Sequence, residues 1–257
     1  MEIGNKITSQ TPSSKKSLES RELLYKLFAN RPFDDPNTLV NLSLDMRSGV
    51  LAKLLFLNEI YQEIVSIPGC IFEFGTYLGG STITFENLRA VYEPYNHLRR
   101  IFTFDTFQGY INTESEKVIS PVFKKIIEES IYTAPTNYAD YLRELVNYHE
   151  SENVMSHIKK HTVIEGDVIQ TVPKTLQQDP SILIALAYFD LAMLKPTLKV
   201  LNIILPKMIK GSIIVLDELG HPDYASETKV FFDLLAGRQY SIKRSNFLSD
   251  RSLITLL

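Results

Sequence analysis

The sequence is short of cysteine, of basic runs and of long apolar runs, and each shortage excludes a class of function. Its only cysteine, Cys70, rules out an intrachain disulfide. Cys70 stands at the head of an apolar stretch, which predicts a buried thiol and a reducing, cytoplasmic setting. Lysine and arginine number 27 against 30 aspartate and glutamate, a net charge of −3. With no basic stripe in the chain, a nucleic-acid partner is not expected. No uninterrupted apolar run reaches the roughly 20 residues of a membrane span. Met1 to Lys16 is polar and charged, unlike an export segment, so no membrane association is expected either. The dinucleotide fingerprint G-x-G-x-x-G is missing as well, although glycines cluster at Gly75, Gly79 and Gly80.

What is present fits one elaborated domain, because 257 residues with 44% hydrophobic content suffice for a single sizeable core. Residues 1–16 read as a flexible tail and 17–67 as N-terminal helices, opening at an N-cap at Ser17 and interrupted by Arg31-Pro-Phe-Asp-Asp-Pro36. Residues 68–257 alternate in the α/β manner. Strands are expected at 70–75, 100–105, 161–165, 182–189 and 212–217, and helices at 79–91, 136–150, 196–208 and 225–236. Continuous apolar runs such as Ile182 to Ala187 suit strands buried on both faces of a parallel sheet. Tyr240 to Lys243 and Ser252 to Leu256 form a closing antiparallel hairpin, giving a Rossmann-like, doubly wound, mostly parallel sheet of seven strands. The stretch from about 110 to 150 breaks this rhythm, is rich in tyrosine and holds apolar positions such as Phe123 and Ile126. It reads as a helical lid over the strand ends or, with equal weight, as a homodimer contact.

The chemistry concentrates where the strands end. Ile71 to Thr82 is an apolar strand running into a glycine-rich turn and a helix start, where unpaired N–H groups await a ligand. Gly75 is expected to let backbone pass close to that ligand, while Gly79 and Gly80 open the helix. Glu73 in this cradle disfavours phosphate and welcomes a cation, which points to a sulfonium cofactor. Asp105, at the end of the next strand, stands where such domains grip ribose hydroxyls. Asp190, Asp217 and Glu218 end two neighbouring strands, a set of hard oxygen donors suited to magnesium. A metal there would lower the pKa of a hydroxyl awaiting reaction. His149 is the first candidate for general base and His221, just after Glu218, the rival.

Five segments together resemble the class I S-adenosylmethionine-dependent methyltransferases: Phe72 to Thr82, Phe104-Asp-Thr-Phe-Gln-Gly109, Glu165-Gly-Asp167, Tyr188-Phe-Asp190 and Leu216-Asp-Glu218. Within them the match is to the macrocin O-methyltransferase (TylF/MycF-like) family, whose members methylate sugar hydroxyls, and the Asp-Thr-Phe-x-Gly element is its most specific part. The resemblance implies S-adenosylmethionine held by Glu73, Gly75, Thr76, Tyr77, Gly79, Gly80, Ser81, Asp105, Thr106, Phe107, Gly166, Asp167 and Asp190. In it Asp105 accepts both ribose hydroxyls, and Gly166 and Asp167 flank the adenine. It also implies a divalent metal at Asp190, Asp217 and Glu218. This chain reads Phe-Asp-Leu at the first metal position where the family has Asp-Gly-Asp, and Asp-Glu-Leu at the second where it has Asp-Asp-Tyr.

The function so implied is O-methylation of a sugar or nucleotide sugar in a surface-glycan or natural-product pathway. Transfer to a phosphate or phosphoramidate oxygen of a capsule precursor is an alternative, as is a non-catalytic S-adenosylmethionine-binding protein. A nicotinamide-dependent oxidoreductase is disfavoured by the missing third glycine and by the acid in the cradle.

Overall fold

A computed structural model describes residues 15–33, 35–113, 120–222, 225–235 and 237–257. Contacts divide the chain into two compact units, Met1–Ala52 and Lys53–Leu257. The first carries helices α1 (Lys15–Ala29) and α2 (Asp35–Val40) and a 3-10 turn at Leu42–Asp45. Arg31 pairs with Asp45 at 2.9 Å and lies 3.7 Å over the Phe28 ring. Of the tail expected over residues 1–16, positions 1–14 lie outside the described residues, while Lys15 and Lys16 already belong to α1.

The second unit holds the whole sheet. Helix α3 (Ser48–Ile64) leads into β1 (Cys70–Phe74), and α4 (Gly80–Tyr92) into β2 (Ile101–Asp105). Then come α5 (Pro121–Glu128), α6 (Tyr138–Ser151), β3 (His161–Glu165), α7 (Val168–Gln178), β4 (Ile184–Phe189), α8 (Leu194–Ile204), β5 (Met208–Leu216) and α9 (Ala225–Leu235). The hairpin β6 (Tyr240–Arg244) and β7 (Ser252–Leu256) closes the sheet. Strand order is β3-β2-β1-β4-β5-β7-β6, parallel except for β7 and β6. This is the Rossmann-like seven-stranded arrangement expected from the alternation.

Both faces are covered, and for that reason β1 and β4 are buried at every position. On one face Phe72, Phe74, Phe102 and Phe104 pack with Val172, Leu201 and Val230 from α7, α8 and α9. On the other, Phe56 and Ile60 of α3 and Phe85 of α4 pack against Ile71, Leu186 and Val215. Cys70 is buried and free, and burial pushes its thiol pKa up. Among the described residues no helix is long and apolar enough to cross a membrane.

Two elements differ from expectation. Helix α7 stands where none was expected. Pro173 lies inside it and argues against a helix by propensity, yet Asp167 caps it and Val168, Val172 and Thr175 give it a buried stripe. The lid expected over 110–150 is shorter. Helix α6 packs against β3 and α4 through Leu142 and Val146, so it belongs to the core. Only α5 and its flanks lie over the strand ends. Ser120 caps α5 by accepting from the Phe123 N–H at 3.1 Å, and Phe123, Ile126 and Ile131 pack on Ala192 and Met193 beyond β4. Residues 114–119 of that insert lie outside the described residues.

Candidate active site

The hydrogen-bond ladder runs one step past the strands and sets the candidate residues in a row. Gly75 N–H donates to the Phe104 carbonyl, Gly166 to Asp105, Asp190 to Phe74 and Asp217 to Phe189, all at 2.8–3.1 Å. Carboxyl strand ends in register are where open α/β sheets bind ligands. Here that edge carries Gly75, Asp105, Gly166, Asp190, Asp217 and Glu218.

The cradle differs in detail from the sequence reading. Gly75 has φ +84°, and a Cβ there would stand 2.2 Å from the Asp190 carbonyl oxygen. Its requirement is thus set by the neighbouring strand end, not by a ligand. Gly79, at φ +82°, is pressed against Leu142 of α6, whereas Gly80 opens α4 with nothing near its missing Cβ. Glu73 is fully buried and faces inward. It accepts from Ser81 Oγ at 2.5 Å, Thr82 Oγ1 at 2.6 Å and Thr103 Oγ1 at 2.9 Å, so its carboxylate braces the start of α4 and does not present itself to a cation. Burial raises its pKa against the pull of those hydroxyls.

Asp105 gathers the loop after β1. Its Oδ2 accepts the N–H groups of Thr76 at 2.7 Å and Tyr77 at 2.8 Å, and its Oδ1 that of Phe107 at 2.7 Å. Burial raises its pKa while these donors oppose the rise. Oδ1 is the less loaded oxygen, so the carboxylate has more room for one ligand hydroxyl than for the two anticipated. Thr106 Oγ1 donates to the Gly109 carbonyl, and Phe107 is buried beside Ala134 and Leu142. Asp167 caps α7 by accepting from Ile169 N–H at 2.9 Å, with Gly166 before it at φ +131°. Tyr77 meets the Tyr132 ring of the α5 flank edge-on at 5.4 Å, which ties the short lid to the cradle loop. With a helix start at Gly80 suited to an anionic group, a carboxylate on β2 suited to a ribose hydroxyl and an aromatic wall, the donor set fits a nucleoside with a carboxylate-bearing tail.

The second acidic group is already supplied with cations. Asp190, one-third exposed, has Lys53 Nζ 3.4 Å from its Oδ2. Burial lowers the Lys53 pKa, but the charges of Asp190 and Asp217 together raise it, so the ammonium is retained. Asp217 is 2% exposed. Its Oδ1 stands 2.5 Å from Arg251 Nε and accepts from Tyr188 OH at 2.9 Å. Glu218 lies 3.9 Å from the same guanidinium, and its backbone N–H donates to Glu227 Oε2 at 2.8 Å. Burial, with the Asp190 charge next, pushes Asp217 up to about 7. Glu218 rises to about 8, chiefly by burial against the pull of Arg251. Among the described residues no three His, Cys, Asp or Glu side chains are disposed to hold a metal ion. The donor set read from sequence as a magnesium site therefore does not fit one, because Arg251 and Lys53 face the oxygens that the ion would need. Sequence reading passed over both cations, and the clue to Arg251 was its place directly before the last strand.

The histidines separate. His149 lies at the far end of α6, its Nδ1 3.1 Å from Asn87 Oδ1. The adjoining Glu150 accepts the Lys160 and His161 N–H groups at the start of β3. That is the amino end of the sheet, opposite Asp190, so the structure does not bring His149 to the site. His221 follows the Glu218 turn, with its N–H on the Glu218 carbonyl at 3.0 Å, and stays on the site's side.

Neither a family model nor a curated protein matches the chain. Solved structures do. The calicheamicin methyltransferase CalS11 is 32% identical at a TM-score of 0.87, covering 98% of this chain and 97% of its own. A second CalS11 structure, described as an apo TDP-rhamnose 3'-O-methyltransferase of calicheamicin biosynthesis, matches at 32% and TM-score 0.82, covering 98% and 99%. The O-methyltransferase NovP shares the fold at TM-score 0.58 and 14% identity, covering 80% and 79%.

Proposed function

Because the chain belongs to the class I S-adenosylmethionine-dependent O-methyltransferases, we propose that it methylates a hydroxyl of a nucleotide-linked deoxysugar in natural-product glycosylation. The observation that carries this reading is the 32% identity over nearly the whole of both chains with a TDP-rhamnose methyltransferase. That similarity extends over 98% of this chain and 99% of the other.

When bound, S-adenosylmethionine supplies an electrophilic methyl on sulfur. The chain's part is to place that methyl in line with an acceptor oxygen and to take the oxygen's proton. Asp105 would hold the ribose, the α4 start at Gly80 and Ser81 the amino-acid end, and Gly166 and Asp167 the base. Asp190 is more accessible than its neighbours Asp217 and Glu218 and is the group we assign as proton acceptor, with His221 as the alternative. Lys53, 3.4 Å from Asp190, gives a cation for the acceptor's negative groups. Phe123 is buried and backs the half-buried rings of Tyr110 and Tyr132, which are the lid's aromatic surface for a sugar or base.

The test is methyl transfer to a panel of TDP-deoxysugars followed by mass spectrometry, with S-adenosylhomocysteine binding measured in parallel by calorimetry. One added methyl on a TDP-deoxysugar is expected. Cofactor binding without methylation of any nucleotide sugar would overturn the acceptor class and leave the methyltransferase assignment intact. Asp105→Asn is expected to weaken S-adenosylhomocysteine binding by about 2–3 kcal/mol, through loss of a charged acceptor and of loop order. An unchanged affinity would limit Asp105 to bracing the loop.

A further inference from the structure

The acidic row at β4 and β5 is neutralised from within by a residue that arrives from the end of the chain. Strands β5 and β7 pair antiparallel with Leu216 opposite Ser252. One step further that register sets Asp217 opposite Arg251, so an arginine just before β7 must meet the acid just after β5. The meeting is tight: Arg251 is 2% exposed, its Nε stands 2.5 Å from Asp217 Oδ1, and its Nη1 donates to the Asp217 backbone carbonyl. The same Nη1 lies 2.9 Å from Asp250 Oδ2 and 3.9 Å from Glu218 Oε2. Tyr188 completes the contacts on Asp217 Oδ1. The turn carrying Arg251 is itself pinned, with its carbonyl accepting from Ser245 N–H at 2.9 Å.

We propose that Arg251 is this enzyme's built-in cation, holding Asp217 and Glu218 where a divalent metal would otherwise hold them, so that methyl transfer needs no metal. The proposal rests on the O-methyltransferase reading. Charge supports it. Asp190 has the Lys53 ammonium beside it, and Asp217, Asp250 and Glu218 share the Arg251 guanidinium, so a cation already stands against every carboxylate of the group and little is left unanswered. A magnesium ion, which binds carboxylate oxygens against a strong preference for its own waters, would gain little from the remainder. Geometry supports it further. The planar guanidinium spans the Asp217 side chain and its carbonyl together, a fixed two-point contact that orients the strand end. Being buried, Arg251 does not reach the substrate. It is a positioning residue, acting through Asp217 and the strand end next to Asp190.

The test is manganese binding to the full chain, read by loss of the free-ion electron paramagnetic resonance signal, together with turnover in EDTA and in magnesium. The wild type is expected to leave manganese free and to turn over equally in both. Arg251→Met, which keeps an unbranched apolar stem and removes the guanidinium, is expected to bind manganese at least about tenfold more tightly than wild type, and Arg251→Met with Asp217→Asn to lose that gain. Arg251→Lys is expected to bind none, since one charge remains. The proposal is overturned if the wild type binds one manganese per chain at sub-millimolar concentration and Asp217→Asn abolishes it, or if EDTA stops turnover and magnesium restores it. Should Arg251→Met not fold, the wild-type arms still decide. The binding arm needs no acceptor, so failure of the sugar reading shows as absent turnover with manganese behaviour unchanged.

Discussion

Glu86 at the amino end of the sheet and Glu218 at the carboxyl end are both buried carboxylates, but their surroundings drive them in opposite directions. Burial pushes Glu86 up, but hydrogen bonds and charge from His161 and Arg89 prevail and bring it down to about 2. Arg89 stands 2.6 Å from it and His161 Nδ1 3.3 Å. Nearby, Glu93 is likewise lowered, with Arg99 at 2.7 Å and Tyr61 OH at 2.7 Å overcoming burial. Arg99 also donates to the carbonyls of Ile64 and Ile67 at 2.8 Å, fastening the end of α3 to the turn before β1. At the carboxyl end, burial and mutual repulsion win, leaving Glu218 near 8 and Asp217 near 7 despite Arg251. One edge of the sheet uses its charges to hold elements together. The other holds acids in strained protonation, as reaction sites do.

The largest expected effect tests the fastened end. Arg99→Ala leaves Glu93 without its cation and several carbonyls unpaired, and urea denaturation should show a loss of about 3–5 kcal/mol. S-adenosylhomocysteine affinity of the folded fraction should not change. A marked loss of affinity would mean that the two ends are not separable.

The next effect tests the strained end through pH. Glu218 and Asp217 have folded pKa values above their unfolded ones, so the fold retains protons that the unfolded chain releases. Their contribution to stability is complete below about pH 4 and is lost as pH rises through 7 to 8. Glu86 has the opposite sign, its contribution being lost only as pH falls from about 4.5 toward 2. The melting temperature should therefore fall from pH 5 to about 8.5, and Glu218→Gln should flatten that slope. An unaltered slope would remove Glu218 as its source.

The smallest effect is expected at His149, which the sequence offered as a base. Burial lowers its pKa, with Glu86 opposing, and it faces Asn87 at the amino end. His149→Ala should keep turnover within about twofold and stability within about 1 kcal/mol. A collapse of turnover alone would return His149 to the reaction and undo the division between the ends.

Sequence periodicity and apolar runs were enough for the seven strands, their mostly parallel order and the closing hairpin, because strands buried on both faces must be continuously apolar and local pattern reports that directly. The strand-end acids were legible for the same reason, since each follows such a run. Pro173 concealed α7, whose helix is decided by its cap and its packing against the sheet. What each acid does was not legible, because it depends on partners distant in the chain. Glu73 turns inward to hydroxyls 8 to 30 residues away, which only the pairing of β1 with β2 and the start of α4 could bring to it. Lys53 reaches Asp190 across 137 positions. Arg251 reaches Asp217 only through the β5–β7 register, and charge compensation across such distances is a property of the folded sheet that no local pattern encodes.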